Sequence, residues 1–388
     1  MLRGTHVICL GLAQLVLWGT GYYSIGVFGP AFETKLGLEK ELVYGGLSAA
    51  LFTMGLISPA AGKLVQGLGG FRVMAAGALI AAVSNTALSF AGNVWAYYGA
   101  WIVHGIALRL TLYDAAFAML AQVGGAKAGR AISQVTLLGG LASSVFWPVG
   151  HALEVAFGIE TALRCYGALA LAAILLLLPF RALGPVADTP HTENESALGA
   201  PGDHYLLSVV CYLLIATTAV FLLAGISSQL IPILAGLGLA PATAVFAAAW
   251  FGVGQVTARV IQVVFGRNVG PLRLNVIAAA IMVLGFSLGL LGDGLVLLAF
   301  AFAALYGAGH GLLTIVRGTL PLVLFDQRTY AARVGKLIVP GFFFAAAAPT
   351  IYAYLMQEIG ERGTVAVSWG LASMVLGAAV ILKRRLGR

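Results

Sequence analysis

Apolar residues run through this sequence in twelve long blocks, at 5–29, 42–65, 72–91, 94–122, 130–156, 162–180, 205–233, 241–265, 270–291, 295–324, 332–357 and 363–382. Most hold about 20 residues or more, enough for a helix to cross ~30 Å of hydrocarbon. Runs such as 276–291 and 168–178 lack the alternation of a barrel strand, and lipid leaves only helices or closed barrels viable. The pattern predicts an all-α integral membrane protein with 12 transmembrane helices in two six-helix bundles, residues 1–180 and 205–388. Between them, 181–204 gathers Gly184, Pro185, Pro190, Glu193, Pro201 and Asp203, the turn-rich polar composition of a cytoplasmic linker. The first block is too long for a secretory signal and no small-x-small cleavage site follows it, so it reads as the first membrane helix.

Composition agrees. Of 388 residues 60% are hydrophobic and 9% charged, with mean hydropathy +0.97, far from the ~25% charge of a soluble domain. With the N-terminus cytoplasmic, the inner loops and tails hold 14 basic residues: Arg3, Lys63, Arg72, Lys127, Arg130, Arg181, Arg267, Arg273, Arg328, Arg333, Lys383, Arg384, Arg385 and Arg388. Only Lys35, Lys40, Arg164 and Arg362 fall outside. This positive-inside bias places both termini in the cytoplasm. Topology then explains the net charge of +8, and no nucleic-acid partner is implied. Cys9, Cys165 and Cys211 lie in apolar blocks and form neither a disulfide framework nor a CxxC metal site. No GxxxxGK[ST] or HExxH sequence occurs and the histidines are scattered, which argues against an ATP-driven pump and against an enzyme; no cofactor and no metal is expected.

The two halves echo each other at an offset of 201 to 206 residues: His104-Gly105 matches His310-Gly311, and Gly140 with Pro148 matches Gly341 with Pro349. Such spacing marks a duplicated bundle.

Ionisable residues inside a span cost about 2.5–3.5 kcal/mol each and are functional candidates. Here they are Arg109, Asp114, Arg259, Arg317 and Lys336. Asp114 follows Arg109 by five residues, about 140° around a continuous helix, so the two should not share a face, and Arg109 should pair better with Tyr113. Asp114 is then either a proton-coupling acid or an anchor between helices. Gln255, Arg259 and Gln262 form a polar stripe expected to face the bundle interior. Tyr306, His310, Thr314 and Arg317 repeat that geometry, with Arg317 a gate or snorkelling residue and Lys336 interfacial. Gln14, Trp18 and Tyr22 step by four, and Ser227, Ser228 and Gln229 sit near Pro232. The substrate set is Arg109, Arg259, His310, Tyr22, Tyr113, Gln255 and His104. For each, helix packing is the competing structural reading. Pro148 and Pro349 mark bends that alternating access can use.

Six plus six helices with a central linker resemble the major facilitator superfamily over the whole chain. The run from Gly62 to Arg72 resembles its loop between helices 2 and 3, keeping Gly62 and Gly69 but carrying Gln66 at the acidic position. The drug-exporter signature R-x-x-Q-G falls on Trp101 to Gly105, where tryptophan replaces arginine. Ser24-Ile25-Gly26-Val27-Phe28 is similar to the S-F-G-V-F of monocarboxylate porters and the oxalate:formate antiporter, and Gln255 to Arg259 keeps the arginine of their D-x-x-x-R without its acid. The resemblance implies a major facilitator fold with inverted repeats, alternating access, and gating roles for Gly62, Gly69 and Arg72, beside those expected of Arg317, Pro148 and Pro349 from their positions.

Guanidinium groups bind carboxylates through paired hydrogen bonds, so Arg109 and Arg259 are expected to clamp an anion. The expected function is a monomeric secondary transporter of a small organic anion of monocarboxylate type, proton-coupled or exchanging anions, in a bacterial cytoplasmic membrane. The alternative is a proton-driven exporter of amphipathic drugs or toxic metabolites, built on Asp114 and an aromatic cavity.

Overall fold

The computed structural model describes residues 2–124, 128–183, 205–266, 269–292, 294–324 and 339–386. Most of the linker expected at 181–204, the start of the 332–357 block with Lys336, and the inner-loop residues Lys127, Arg267, Arg328, Arg333 and Arg388 lie outside them. Among the described residues, ten helical segments are long and apolar enough to cross a membrane, so the chain is a multi-pass integral membrane protein. Two compact units divide it, Met1–His191 and Thr192–Arg388.

Unit 1 opens with α1 (Gly4–Leu17), a π-helical turn (Trp18–Tyr22) and α2 (Ser24–Leu36). Then come α3 (Lys40–Leu68), α4 (Gly70–Ser89), α5 (Val94–Thr111), α6 (Tyr113–Gly124), α7 (Ala128–Gly139) and α8 (Ala142–Leu177). Unit 2 holds α9 (Tyr205–Gly236), α10 (Pro241–Phe265), α11 (Pro271–Leu291), α12 (Val296–Leu324) and α13 (Val339–Leu386). The ends follow local chemistry. The Asn93 side chain caps α5 by accepting from the Ala96 N–H at 2.9 Å, and prolines open α10 and α11, where a missing N–H costs no helical bond.

The continuous first helix expected from the sequence is interrupted. At its π turn the Tyr23 N–H reaches five residues back to the Trp18 carbonyl at 3.1 Å, and single π turns of this kind cluster at functional sites. The fourth block is broken as well: Leu112 is extended, with ψ −171°, and separates α5 from α6. The fifth block is divided between α7 and α8 by a turn at 140–141.

Both units repeat one packing scheme. In unit 1, α3 and α4 each pack on α5, α4 packs on α8, and α1 packs on α7 and α8; in unit 2, α10 and α11 pack on α12, α11 packs on α13, and α9 packs on α13. Glycines let the backbones touch. A Cβ at Gly105 would meet the Ala50 carbonyl, and one at Gly254 or Gly307 would meet the Ala304 or Phe251 carbonyl.

α8 and α13 each bend at a glycine in a conformation almost closed to other residues: Gly158 at φ 79°, ψ 161° and Gly360 at φ 70°, ψ 177°. Nothing lies within 4 Å of a Cβ at either position, so the constraint is backbone strain alone. Gly158→Ala and Gly360→Ala are each expected to cost about 1–3 kcal/mol, read as a lower Tm in detergent.

Candidate functional site

In unit 1, buried polar groups collect around the π turn. Gln14 is fully buried, and its Nε2 donates to the Thr111 carbonyl at 2.7 Å. That carbonyl is among the last of α5, which the break at Leu112 leaves without helical partners. His104 is also fully buried, with Nδ1 2.7 Å from Ser84 Oγ. Among the described residues, Gln14 Oε1, Trp18 Nε1, His104 Nε2 and Ser143 Oγ are buried without a hydrogen-bond partner. Each such group costs about 1–3 kcal/mol unless something satisfies it. They share a neighbourhood: a Cβ at Gly21, within the π turn, would lie 3.5 Å from His104 Nε2, and one at Gly19 would strike the Phe146 ring, one helical turn beyond Ser143.

Rings surround them. Trp18 packs against Tyr22 at 5.1 Å and Tyr113 at 4.9 Å between centroids, Tyr113 stacks on Phe117 at 5.2 Å, and Tyr23 meets Trp147 edge-on at 5.5 Å. Tyr22 is buried and Tyr113 half-buried. Ser24, at the head of the segment resembling the monocarboxylate motif, donates to the Gly21 carbonyl at 2.7 Å and helps restart the helix after the π turn.

Arg109 does not stand free for an anion. Its Nε donates to Ser58 Oγ at 3.0 Å, and its guanidinium lies 3.8 Å from the Asp114 carboxylate. The expectation that Arg109 pairs better with Tyr113 than with Asp114 is corrected: it assumed one continuous helix, and the break at Leu112 swings Asp114 back toward Arg109. The Asp114 side chain is 49% exposed. Tyr113, the expected partner of Arg109, belongs to the aromatic group around Trp18.

In unit 2 the polar groups lie on α9 to α12. Arg259 is 3% exposed and donates from Nε to the Gly311 carbonyl at 3.3 Å. Gln255 and His310 are buried beside it in sequence and register, and Phe251 stacks on Tyr306 at 5.3 Å. Among the described residues, Ser227 Oγ, both amide atoms of Gln229, both of Asn275, and His310 Nδ1 are buried without a partner. The expected stripe divides: Gln255 and Arg259 are buried, whereas Gln262 is half-buried and lines an apolar groove with the exposed Ile261. Arg317 is half-buried, and its carbonyl accepts from Tyr212 at 3.1 Å.

The gating candidates are placed as follows. Gly62 and Arg72 are exposed, Gly69 caps α4 with φ 83°, and Pro148 and Pro349 sit inside α8 and α13. Ser84, Ser143, Ser58 and Asn275 carry no mark in the sequence, since a single small polar residue in an apolar block is ordinary. At the α2 end, Lys35 pairs with Glu160 at 3.1 Å and donates to the Ser89 carbonyl at 2.8 Å, while Arg164 lies 3.6 Å from Glu160.

Each of the two helical units thus buries polar groups among its helices. The crystal structure of a mutant of the nucleoside transporter NupG superposes over 97% of this chain and 98% of its own, with a TM-score of 0.74 and 14% identity. At that identity the likeness shows the fold. It agrees with the all-helical membrane fold expected from the sequence and lends nothing to the monocarboxylate branch. No family profile matches the chain, and no curated protein matches it.

Proposed function

We propose that the protein is a secondary transporter that carries a small, polar, ring-bearing solute of neutral charge by alternating access, with twelve membrane crossings and both termini on the cytoplasmic side. The fold supports transport. One observation carries the substrate reading: the unsatisfied groups at the π turn of unit 1 are all neutral, an amide oxygen, an indole N–H, an imidazole nitrogen and a hydroxyl, and aromatic rings frame them. A solute with a flat face and a hydrogen-bonding edge satisfies both, and rings stack offset or edge-to-face at such spacings. Nucleosides fit this description, and a structural neighbour is titled a nucleoside transporter.

Anion transport is the second reading, favoured by the deep burial of Arg259 beside Gln255 and His310. Arg109 supports it less, because Asp114 offsets its charge. Counterflow of labelled solutes into proteoliposomes separates the two. Neutral nucleosides are expected to exchange and small carboxylates not to; exchange of carboxylates alone would overturn the neutral reading and favour the anion.

A further inference from the structure

We propose that the outward groove bounded by α10, α11 and α12 is a binding site for one acyl chain of an anionic bilayer lipid. The groove holds about 560 Å³. Its rim residues Trp250, Ile261 and Ile277 are 46%, 53% and 44% exposed, yet they belong to segments apolar enough to span a membrane, Pro241–Gln262 and Pro271–Leu291. A space of this size opening on hydrocarbon is filled by hydrocarbon. Of the lining side chains only Thr257 and Gln262 bear conventional hydrogen-bonding polar atoms besides the indole of Trp250, so a polar occupant would leave its own groups unsatisfied.

Small residues create the space. Gly254, Ala304 and Ala308 allow α10 and α12 to touch and leave the groove above the contact. The charge of the lipid follows from the mouth. The groove runs to Gly266, just past the end of α10, and to Val269 and Leu274 around the start of α11. Arg273, exposed in the first turn of α11, lies four residues before Ile277 and so on the same face of that helix. A cation at the end of a span attracts an anionic headgroup.

Trp250 reports on the site. Quenching would be measured in proteoliposomes of mixed phosphatidylglycerol and phosphatidylcholine, with bromine on the chains of one lipid or the other; the difference between the native protein and Trp250→Phe isolates this indole. Brominated phosphatidylglycerol is expected to quench Trp250 with an apparent affinity about fivefold above that of brominated phosphatidylcholine. Arg273→Gln should equalise the two lipids, and Ala308→Leu, which fills the groove, should weaken both. Equal quenching by the two lipids in the native protein, or a preference that survives Arg273→Gln, would overturn the proposal. Arg273 is exposed, so that variant remains informative if Ala308→Leu folds badly.

Discussion

Gly254→Val and Gly307→Val are expected to prevent unit 2 from reaching its folded state. A Cβ at either position meets a backbone carbonyl of the facing helix, Ala304 from Gly254 and Phe251 from Gly307. No flexible side chain stands in the way to turn aside, so α10 and α12 must separate along their length. Overpacking a core costs about 1–3 kcal/mol and more where backbones collide. Two such contacts on one helix pair leave little room for relief. Gly377 makes the control, because nothing lies within 4 Å of its Cβ and Gly→Ala inside a helix gains up to about 1 kcal/mol. Size-exclusion profiles and thermal melts in detergent should show both valine variants aggregated or melting far below the native protein, with Gly377→Ala unchanged or higher. A Gly254→Val variant that melts like the native protein would show that the helices do not approach so closely.

His104→Leu is expected to reduce solute exchange by about tenfold or more while the protein still folds. The ring is fully buried, with Nδ1 on Ser84 and Nε2 without a partner. If the solute bonds to Nε2, losing a hydrogen bond worth about 1.5 kcal/mol lowers affinity about tenfold. Folding tolerates the change because leucine removes a buried polar atom that has no protein partner. Ser84 keeps a bond to the Ala81 carbonyl at 3.1 Å. Ser84→Ala serves as the companion: it leaves the ring in place but frees its tautomer, and exchange should fall by less. Uptake unchanged in His104→Leu would move the solute site away from the π turn.

The helices were legible because lipid demands long unbroken apolar runs, and hydropathy reports those directly. Their interruptions were not. Trp18 to Tyr22 reads as helix in any window of hydropathy, and the π turn there depends on Gly19 yielding to Phe146 and on Gly21 lying beside Leu108, contacts far apart in sequence. The same holds at Leu112, an apolar residue among apolar residues, whose extended backbone undid the angular argument about Arg109 and Asp114. Candidate residues were found where a polar group was large: Gln14, Trp18, His104, Arg259 and His310 are all buried or, for Trp18, half-buried with its indole nitrogen enclosed. The small partners of Arg109 and His104, Ser58 and Ser84, gave no signal, because a serine's role is set by what faces it.

The bond from Gln14 to the Thr111 carbonyl joins two of the discontinuities of unit 1, the π turn and the break at Leu112. Helix 1 is loosened four residues after Gln14, and the fourth block is cut one residue after Thr111. Neither joint can open far without stretching that 2.7 Å link, so the two act as one compound hinge. Motion started at the π turn is thereby delivered to Asp114, two residues past the cut, through a single amide.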